Sequence, residues 1–328
     1  VVFKDRVRGD IVTQNTQLDD LIIARSDGAP TYNLTVVVDD YDMGVTHVIR
    51  GDDHINNTPR QIHIFQALQA WIPEYAHVPS VLGADGQKLS KRHGALSVLA
   101  YREAGYLPHA LLNALLRLGW SRGDQEIFSI EEMMTHFDFS GIHLSPAAFD
   151  PHKLLWYNQH YLKTLPESVI RAYLRWHLDR LDRVDPGIDW SNEAHIQKLD
   201  EIIRILKTRV KTLCDLAQNI PVFYQPLTDY LPEAAALYLT TETLPVLRYA
   251  KTLLVTALAW DAEKIHVLIQ DMCVALDLKM PAVAQPLRVA MVGSTVSPPL
   301  QHTLAALGKQ EVIHRLDLAI KYVQNGAG

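Results

Sequence analysis

Lys88, Ser90, Lys91 and Arg92 fall within the run Asp85-Gly86-Gln87-Lys88-Leu89-Ser90-Lys91-Arg92-His93-Gly94. Two ammonium groups and a guanidinium fork, flanked by glycines that allow close backbone approach, are the chemistry needed to hold a polyphosphate. The same composition also suits a solvated surface loop. A second constellation is Arg50-Gly51-Asp52-Asp53-His54, directly after the branched pair Val48-Ile49. An arginine at the end of a strand can grip a carboxylate with both arms of its fork. The alternative is a structural ion pair with Asp52 or Asp53, and both readings hold if the aspartates orient the arginine.

The elements that must position these residues are partly legible. Branched residues predict strands over 33–39 and 46–49. A helix is predicted over 58–70, with Thr58 as its cap and Pro59 in its first turn. Strand, acidic loop and helix in succession is the pattern of a doubly wound sheet, whose ligands sit at the carboxyl ends of its strands. On a strand, residues 32, 34, 36 and 38 share a face, so Tyr32 is either core or pocket lining. Val1 to Ile11 alternates branched residues with charges and carries a Gly9-Asp10 turn signal. It reads as strand material that starts abruptly and needs a neighbour that none of the preceding residues supplies.

Beyond the cationic loop the texture turns helical. Helices are predicted over 95–103 and 109–118, the second following Pro108 and stopping at Gly119. Ser129 with Glu132 forms a capping-box pattern. From about residue 166 there is essentially no strand signal. Ile202, Leu206, Val210 and Leu213 recur at helical spacing, as do Val312, Leu316, Ile320 and Val323. Prolines including Pro186, Pro221, Pro232 and Pro281 punctuate an all-α half, with a possible division near Thr240. Arg204, Lys207 and Lys211 form a basic stripe that is either a solvated face or an RNA contact, and Arg209 projects elsewhere. Trp260 and Tyr249 follow apolar spacing and are expected in the core.

At 328 residues and 48% hydrophobic the chain is long enough for about two domains. A formal charge of -6 gives no global sign of nucleic-acid binding, although what counts there is cation clustered on one face. The two cysteines, Cys214 and Cys273, lie in apolar helical runs and read as buried free thiols. Fifteen histidines show no ligand spacing, so no zinc is expected. No apolar run reaches membrane-spanning length and no signal peptide is visible, which predicts a cytoplasmic protein.

Lys88-Leu89-Ser90-Lys91-Arg92 resembles the KMSKS signature of class I aminoacyl-tRNA synthetases. Upstream stand Ser26-Asp27-Gly28-Ala29-Pro30-Thr31-Tyr32, then Val48-Ile49-Arg50-Gly51-Asp52-Asp53-His54 and Asn57-Thr58-Pro59-Arg60-Gln61. Downstream come Leu118-Gly119-Trp120, Phe149-Asp150 and Gln285-Pro286-Leu287-Arg288. This succession resembles bacterial glutamyl-tRNA synthetase over essentially the full chain. The fold implied is an α/β partial class I Rossmann-type catalytic domain, followed by all-α connecting (stem-contact) and helical anticodon-binding domains. The corresponding boundaries are 1–94, 95–165 and 166–328.

The resemblance implies ATP-dependent activation of L-glutamate to glutamyl-adenylate and transfer to tRNA(Glu), with Mg2+ entering as part of the nucleotide complex. Lys88, Ser90, Lys91 and Arg92 are then catalytic, stabilising charge that builds on the leaving phosphates. ATP contacts are expected from Lys91, Leu89 and His54, although some family members carry Trp where His54 stands. Tyr32, Arg50 and Asp53 are expected to bind the amino acid; Val36 replaces a polar residue of some members and is not expected to. Arg288, Ser297, Pro298, Leu300 and Arg209 are the expected anticodon contacts. A monomer without membrane association is expected.

The family's early HIGH-type motif is missing: no His-x-Gly-His occurs in these residues. The chain is therefore expected to be a fragment lacking the early part of the family sequence, and to be inactive alone. Two other readings stand beside the leading one. A glutaminyl-tRNA synthetase shares the cationic loop, but its β-barrel anticodon module disagrees with a strand-poor half. A tRNA-binding fragment without catalysis is the second.

Overall fold

The structure, a computed structural model, describes residues 1–83, 85–89, 97–181 and 188–326. The chain divides into two compact units. One comprises Val1–Tyr101 with Pro108–Asn158, the other Arg102–Leu107 with the chain from Gln159 onward.

The first unit is built on a four-stranded sheet. Val2–Asp5 (β1) and Gly9–Val12 (β2) form a hairpin in which Asp5 pairs with Gly9, whose φ of +78° calls for glycine. His47–Gly51 (β3) and Glu74–Val78 (β4) run parallel, and the sheet order is β2-β1-β4-β3. β1 lies between β2, which it pairs along its length, and β4, which it meets at Asp5 and Tyr75. A parallel pair needs a crossover, supplied between β3 and β4 by a 3-10 turn over Asp52–Asn57 and the helix Thr58–Ala67 (α2).

The strand expected over 33–39 is a helix, Tyr32–Asp42 (α1). Branched residues cost a helix only some tenths of a kcal/mol each. Burial outweighs that: Val37 is wholly buried, α1 packs on α2, and the Gln61 amide donates to Asn33 Oδ1 at 3.1 Å. The shared strand face of residues 32 to 38 therefore does not exist. Thr58 is not a cap either. It lies inside α2 and is fully buried, while Asn57 holds the cap position without a side-chain cap bond.

Val81–Leu82 (β5) pairs in parallel with Ala147–Ala148 (β6), and Leu82 also bridges to Lys88, turning the cationic segment back. Helices follow at Val98–Glu103 (α3), Pro108–Gly119 (α4), Ile130–His136 (α5) and Pro151–Thr164 (α6). The capping box of α5 forms as the sequence implies, with Ser129 and Glu132 satisfying each other's backbone N–H.

In the second unit the described residues hold helices and no strand. They are Glu167–Leu178 (α7), Glu193–Leu206 (α8), Leu213–Asn219 (α9), Pro232–Tyr238 (α10), Leu244–Thr256 (α11), Ala262–Ala275 (α12), Met280–Val292 (α13), Leu300–Leu307 (α14) and Lys309–Gln324 (α15). Ile202, Leu206, Val210 and Leu213 are all buried but do not share one helix, because α8 ends at Leu206 and Thr212 caps α9. On α15 the core stripe runs Val312, Leu316, Ala319 and Val323, with Ile320 only half-buried. Cys214 and Cys273 are free but half-buried. Tyr249, expected in the core, is exposed, and Trp260 is half-buried. Pro186 lies outside the described residues.

Candidate functional site

Arg50 sits near the end of β3, directly across from His77 on β4. That register aligns their side chains on one sheet face, and the period of two brings Tyr75 onto the same face. Tyr75 stacks on His77 with ring planes 9° apart, and the Arg50 guanidinium lies over the Tyr75 ring, 5.4 Å from its centre. Asp5 on β1 reaches His77 from the other side, with Oδ2 2.6 Å from Nδ1. Asp5, His77 and Thr58 are all buried.

Arg50 Nε–H donates to His77 Nε2 at 3.1 Å and Nη2–H to Thr58 Oγ1 at 2.7 Å. The ion pair with Asp52 or Asp53 that the sequence leaves open does not form. Asp52 takes Arg8 at 2.7 Å and the Ser80 hydroxyl at 3.2 Å, while Asp53 takes Lys88 at 2.7 Å. Among the described residues no carboxylate lies within ion-pair distance of Arg50. Burial lowers the Arg50 pKa from its ordinary value, only partly opposed by Tyr75, Tyr32 and Asp40. Burial likewise raises Asp40, against the pull of Arg50, and pushes the Tyr75 hydroxyl, which is buried without a hydrogen-bond partner, up to about 12. A half-buried cation without a counter-charge is costly unless an anion arrives to compensate it.

Tyr32 opens α1 and is 53% exposed, so it is not core. Its hydroxyl and the Asn57 amide nitrogen each lie 3.3 Å from His54 Nδ1. The structure thus places Tyr32, Arg50, Asp53 and His54 around the carboxyl end of β3 and the turn behind it. Lys88 joins them through Asp53, whose carboxyl is held below its ordinary value chiefly by that lysine. Leu89 N–H donates to Val81 O at 2.8 Å, a backbone tie that leaves its side chain half-buried. Ser90, Lys91 and Arg92 lie outside the described residues.

In the helical unit a second cationic cluster forms. Arg209 Nη1–H donates to Ser297 O at 3.3 Å, and Arg209 is close enough to Arg288 that the two charges oppose each other. Burial and that repulsion lower the Arg288 pKa, burial being the larger. Arg288 Nε and Gln285 Oε1, one turn apart on α13, are both buried without hydrogen-bond partners among the described residues. Pro298 and Leu300 are buried. Of the basic stripe, Arg204 pairs with Glu201, and Lys207 donates to Leu165 O and pairs with Glu167 at 3.0 Å. A groove of about 1100 Å³ beside Arg204 and Arg209 is also lined by Lys198, Trp260 and His302.

Residues 1–156 match the family model for tRNA synthetases class I (E and Q), catalytic domain, and residues 169–320 match an anticodon binding domain. Over its full length the chain is 51% identical to Glutamate--tRNA ligase 1 of Coxiella burnetii (strain RSA 493 / Nine Mile phase I), covering 68% of that protein. The chain belongs to the glutamate–tRNA ligase family. Glutamate--tRNA ligase 1 of Alkalilimnicola ehrlichii is 48% identical, again with 68% of its length covered. The crystal structure of a glutamate tRNA ligase from Elizabethkingia meningosepticum, in complex with its amino acid, superposes with a TM-score of 0.78 at 28% identity. That match covers 98% of this chain and 66% of the other. The chain thus spans about two thirds of the length of these glutamate–tRNA ligases. No described helix is long and apolar enough to cross a membrane.

Within this glutamate–tRNA ligase fold, sequence reasoning found Arg50 but missed the residues that hold it. Asp5 and His77 are 72 positions apart, and only the β1-β4-β3 strand order joins them to Arg50. Thr58 was read as a helix cap. No local spacing could have signalled either role.

Proposed function

We propose that this chain carries the amino-acid site and part of the nucleotide site of an enzyme that activates L-glutamate with ATP and transfers it to tRNA(Glu). The observation that carries the reading is Arg50, a half-buried guanidinium with two protein acceptors and no carboxylate partner among the described residues. Such a group selects a side-chain carboxylate over an amide, because glutamine would leave the charge unpaired. Tyr32 and Asp53 flank the same site, and Asp53 carries Lys88 to its edge.

Lys88, Lys91 and Arg92, with Ser90, supply cation and hydrogen bond to phosphates as pyrophosphate departs, and Leu89 and His54 contact the nucleotide. Attack by the glutamate carboxylate on the α-phosphate needs no general base, since the nucleophile is already an anion; positioning does the work. Magnesium enters with the nucleotide as substrate. Among the described residues no cluster of His, Cys, Asp or Glu could hold a resident metal. Arg288 and Arg209, with Ser297, Pro298 and the Leu300 backbone, read the anticodon. Two neighbouring arginines, neither ion-paired among the described residues, suit phosphate and base edges. Residues 95–165 contact the tRNA stem.

Equilibrium dialysis with labelled L-glutamate tests the amino-acid assignment. Saturable binding that excess glutamine does not displace, and that Arg50→Gln removes, is expected; equal affinity for the two amino acids overturns it. The second reading, a tRNA-binding chain without catalysis, rests on residues 169–320, which match an anticodon binding domain. It predicts no ATP–pyrophosphate exchange by this polypeptide with glutamate and tRNA present, and robust exchange refutes it.

A further inference from the structure

Arg50 is held along one edge only. In a guanidinium, Nε–H and the nearer Nη2–H point the same way and form a side edge, while Nη1 and Nη2 together form an end edge. His77 Nε2 and Thr58 Oγ1 occupy the side edge, at 3.1 and 2.7 Å. Among the described residues no hydrogen bond engages Nη1, and it is not among their buried unpartnered atoms. The end edge is therefore the part of Arg50 left to a ligand.

His77 can fill this role in one form only. Arg50 Nε–H is a donor, so Nε2 must offer its lone pair, and the ring proton must sit on Nδ1. Asp5 enforces that tautomer: its Oδ2 is 2.6 Å from Nδ1, and both side chains are fully buried. Asp5 is itself anchored by the backbone N–H groups of Val7 and Arg8 at 2.9 Å and of His77 at 3.1 Å. These bonds and the His77 ring hold its carboxyl below the ordinary value, although burial, the largest single influence, acts to raise it. Burial also lowers the His77 pKa, with Arg50 and Arg8 acting the same way against the pull of Asp5.

We propose that Asp5 and His77 are positioning residues for substrate recognition: Asp5 locks the His77 tautomer, and His77 with Thr58 holds the Arg50 fork so that its end edge meets the glutamate side-chain carboxylate. The inference rests on the assignment of Arg50 as the glutamate-binding residue. A bidentate carboxylate contact is sensitive to rotation of the fork, so loosening the side edge weakens glutamate binding even though neither Asp5 nor His77 touches the ligand.

Two substitutions separate positioning from mere packing. In His77→Gln the amide reaches the Nε2 position and can still accept from Arg50. In His77→Asn it reaches only the Nδ1 position, keeping the Asp5 bond and losing Arg50. L-glutamate is titrated into the 15N-arginine-labelled chain, reading Nε–H cross-peaks by NMR, with thermal unfolding recorded for each variant. The expected result is a Kd raised about tenfold or more in His77→Asn but within about threefold in His77→Gln, whatever their relative melting temperatures. A histidine that only fills space would give variants that differ in stability and not in Kd, and equal Kd values for the two variants and the parent overturn the proposal. If the parent shows no saturable response to glutamate, the assignment of Arg50 fails first and the inference falls with it.

Discussion

Replacing Arg315 by Met should destabilise the helical unit far more than a typical substitution. Arg315 is 1% exposed, and its guanidinium closes three backbone ends. It donates to Met291 O at 2.5 Å, in the last turn of α13, to Val222 O at 2.9 Å and to Gln225 O at 2.7 Å. These carbonyls stand at or beyond helix ends, where the intrahelical ladder supplies no donor. Leaving a buried acceptor unmet costs about 1–3 kcal/mol, so three amount to roughly 3–9 kcal/mol. Removing a buried cation returns several kcal/mol of desolvation, and Met fills part of the volume, which brings the net to about 3–5 kcal/mol. Glu311, which accepts from Arg315 Nε at 2.6 Å, keeps a third of its side chain in water, so Glu311→Gln should cost under about 1 kcal/mol. Urea unfolding followed by far-ultraviolet circular dichroism reads both. At a slope of about 2–3 kcal/mol/M, Arg315→Met should move the midpoint down by about 1–2.5 M and Glu311→Gln by under about 0.5 M. A loss in Arg315→Met no larger than that in Glu311→Gln would refute the reasoning, because the ion pair rather than the carbonyl contacts would then carry the stability.

Glu126 gives a pH signature in the first unit. Arg117 at 2.9 Å, then the Tyr157 hydroxyl and Lys153, outweigh burial and hold its carboxyl down at about 2, against an ordinary 4.5. A depressed carboxylate contributes stability that is complete above its unfolded pKa and lost as pH falls through the folded one. The side chain is 38% exposed, so solvent screening reduces that contribution to about 1–2 kcal/mol. The melting-temperature advantage of the parent over Glu126→Gln should hold at pH 7 and shrink between pH 4.5 and about 2; a pH-independent gap contradicts it. Arg288→Ala should leave thermal stability nearly unchanged, because its Nε makes no hydrogen bond, yet lower tRNA(Glu) affinity about tenfold at fixed salt. Unchanged affinity in a filter-binding assay would reject the anticodon assignment.

Motifs whose chemistry is local were legible in the sequence. Arg50 after a branched pair, the lysines of the cationic loop, the Ser129–Glu132 capping box and the succession carrying the family resemblance all involve residues a few positions apart. The helices expected over 58–70 and 109–118 form over 58–67 and 108–119, and the described residues of the second unit hold no strand, since the helical repeat and the proline ring act within a few residues. The failures were of another kind. Residues 33–39 read as a strand from their branched side chains and fold within a helix over 32–42, because burying Val37 against α2 outweighs a small local preference. The apolar series Ile202 to Leu213 is one core stripe divided between two helices, a break that depends on Thr212 capping α9.

The residues themselves determined the family and marked Arg50 as the cation to watch. Only the tertiary structure decided what Arg50 is bonded to. Its neighbouring aspartates, the obvious partners in sequence, turn away to Arg8 and Lys88, while Asp5 and His77 arrive from distant strands through a parallel register. The physical reason is that local order fixes side-chain period and chain reversal, whereas strand order is set by which surfaces can be buried together. Arg50 thereby has one edge held by His77 and Thr58, and its other edge meets no carboxylate among the described residues.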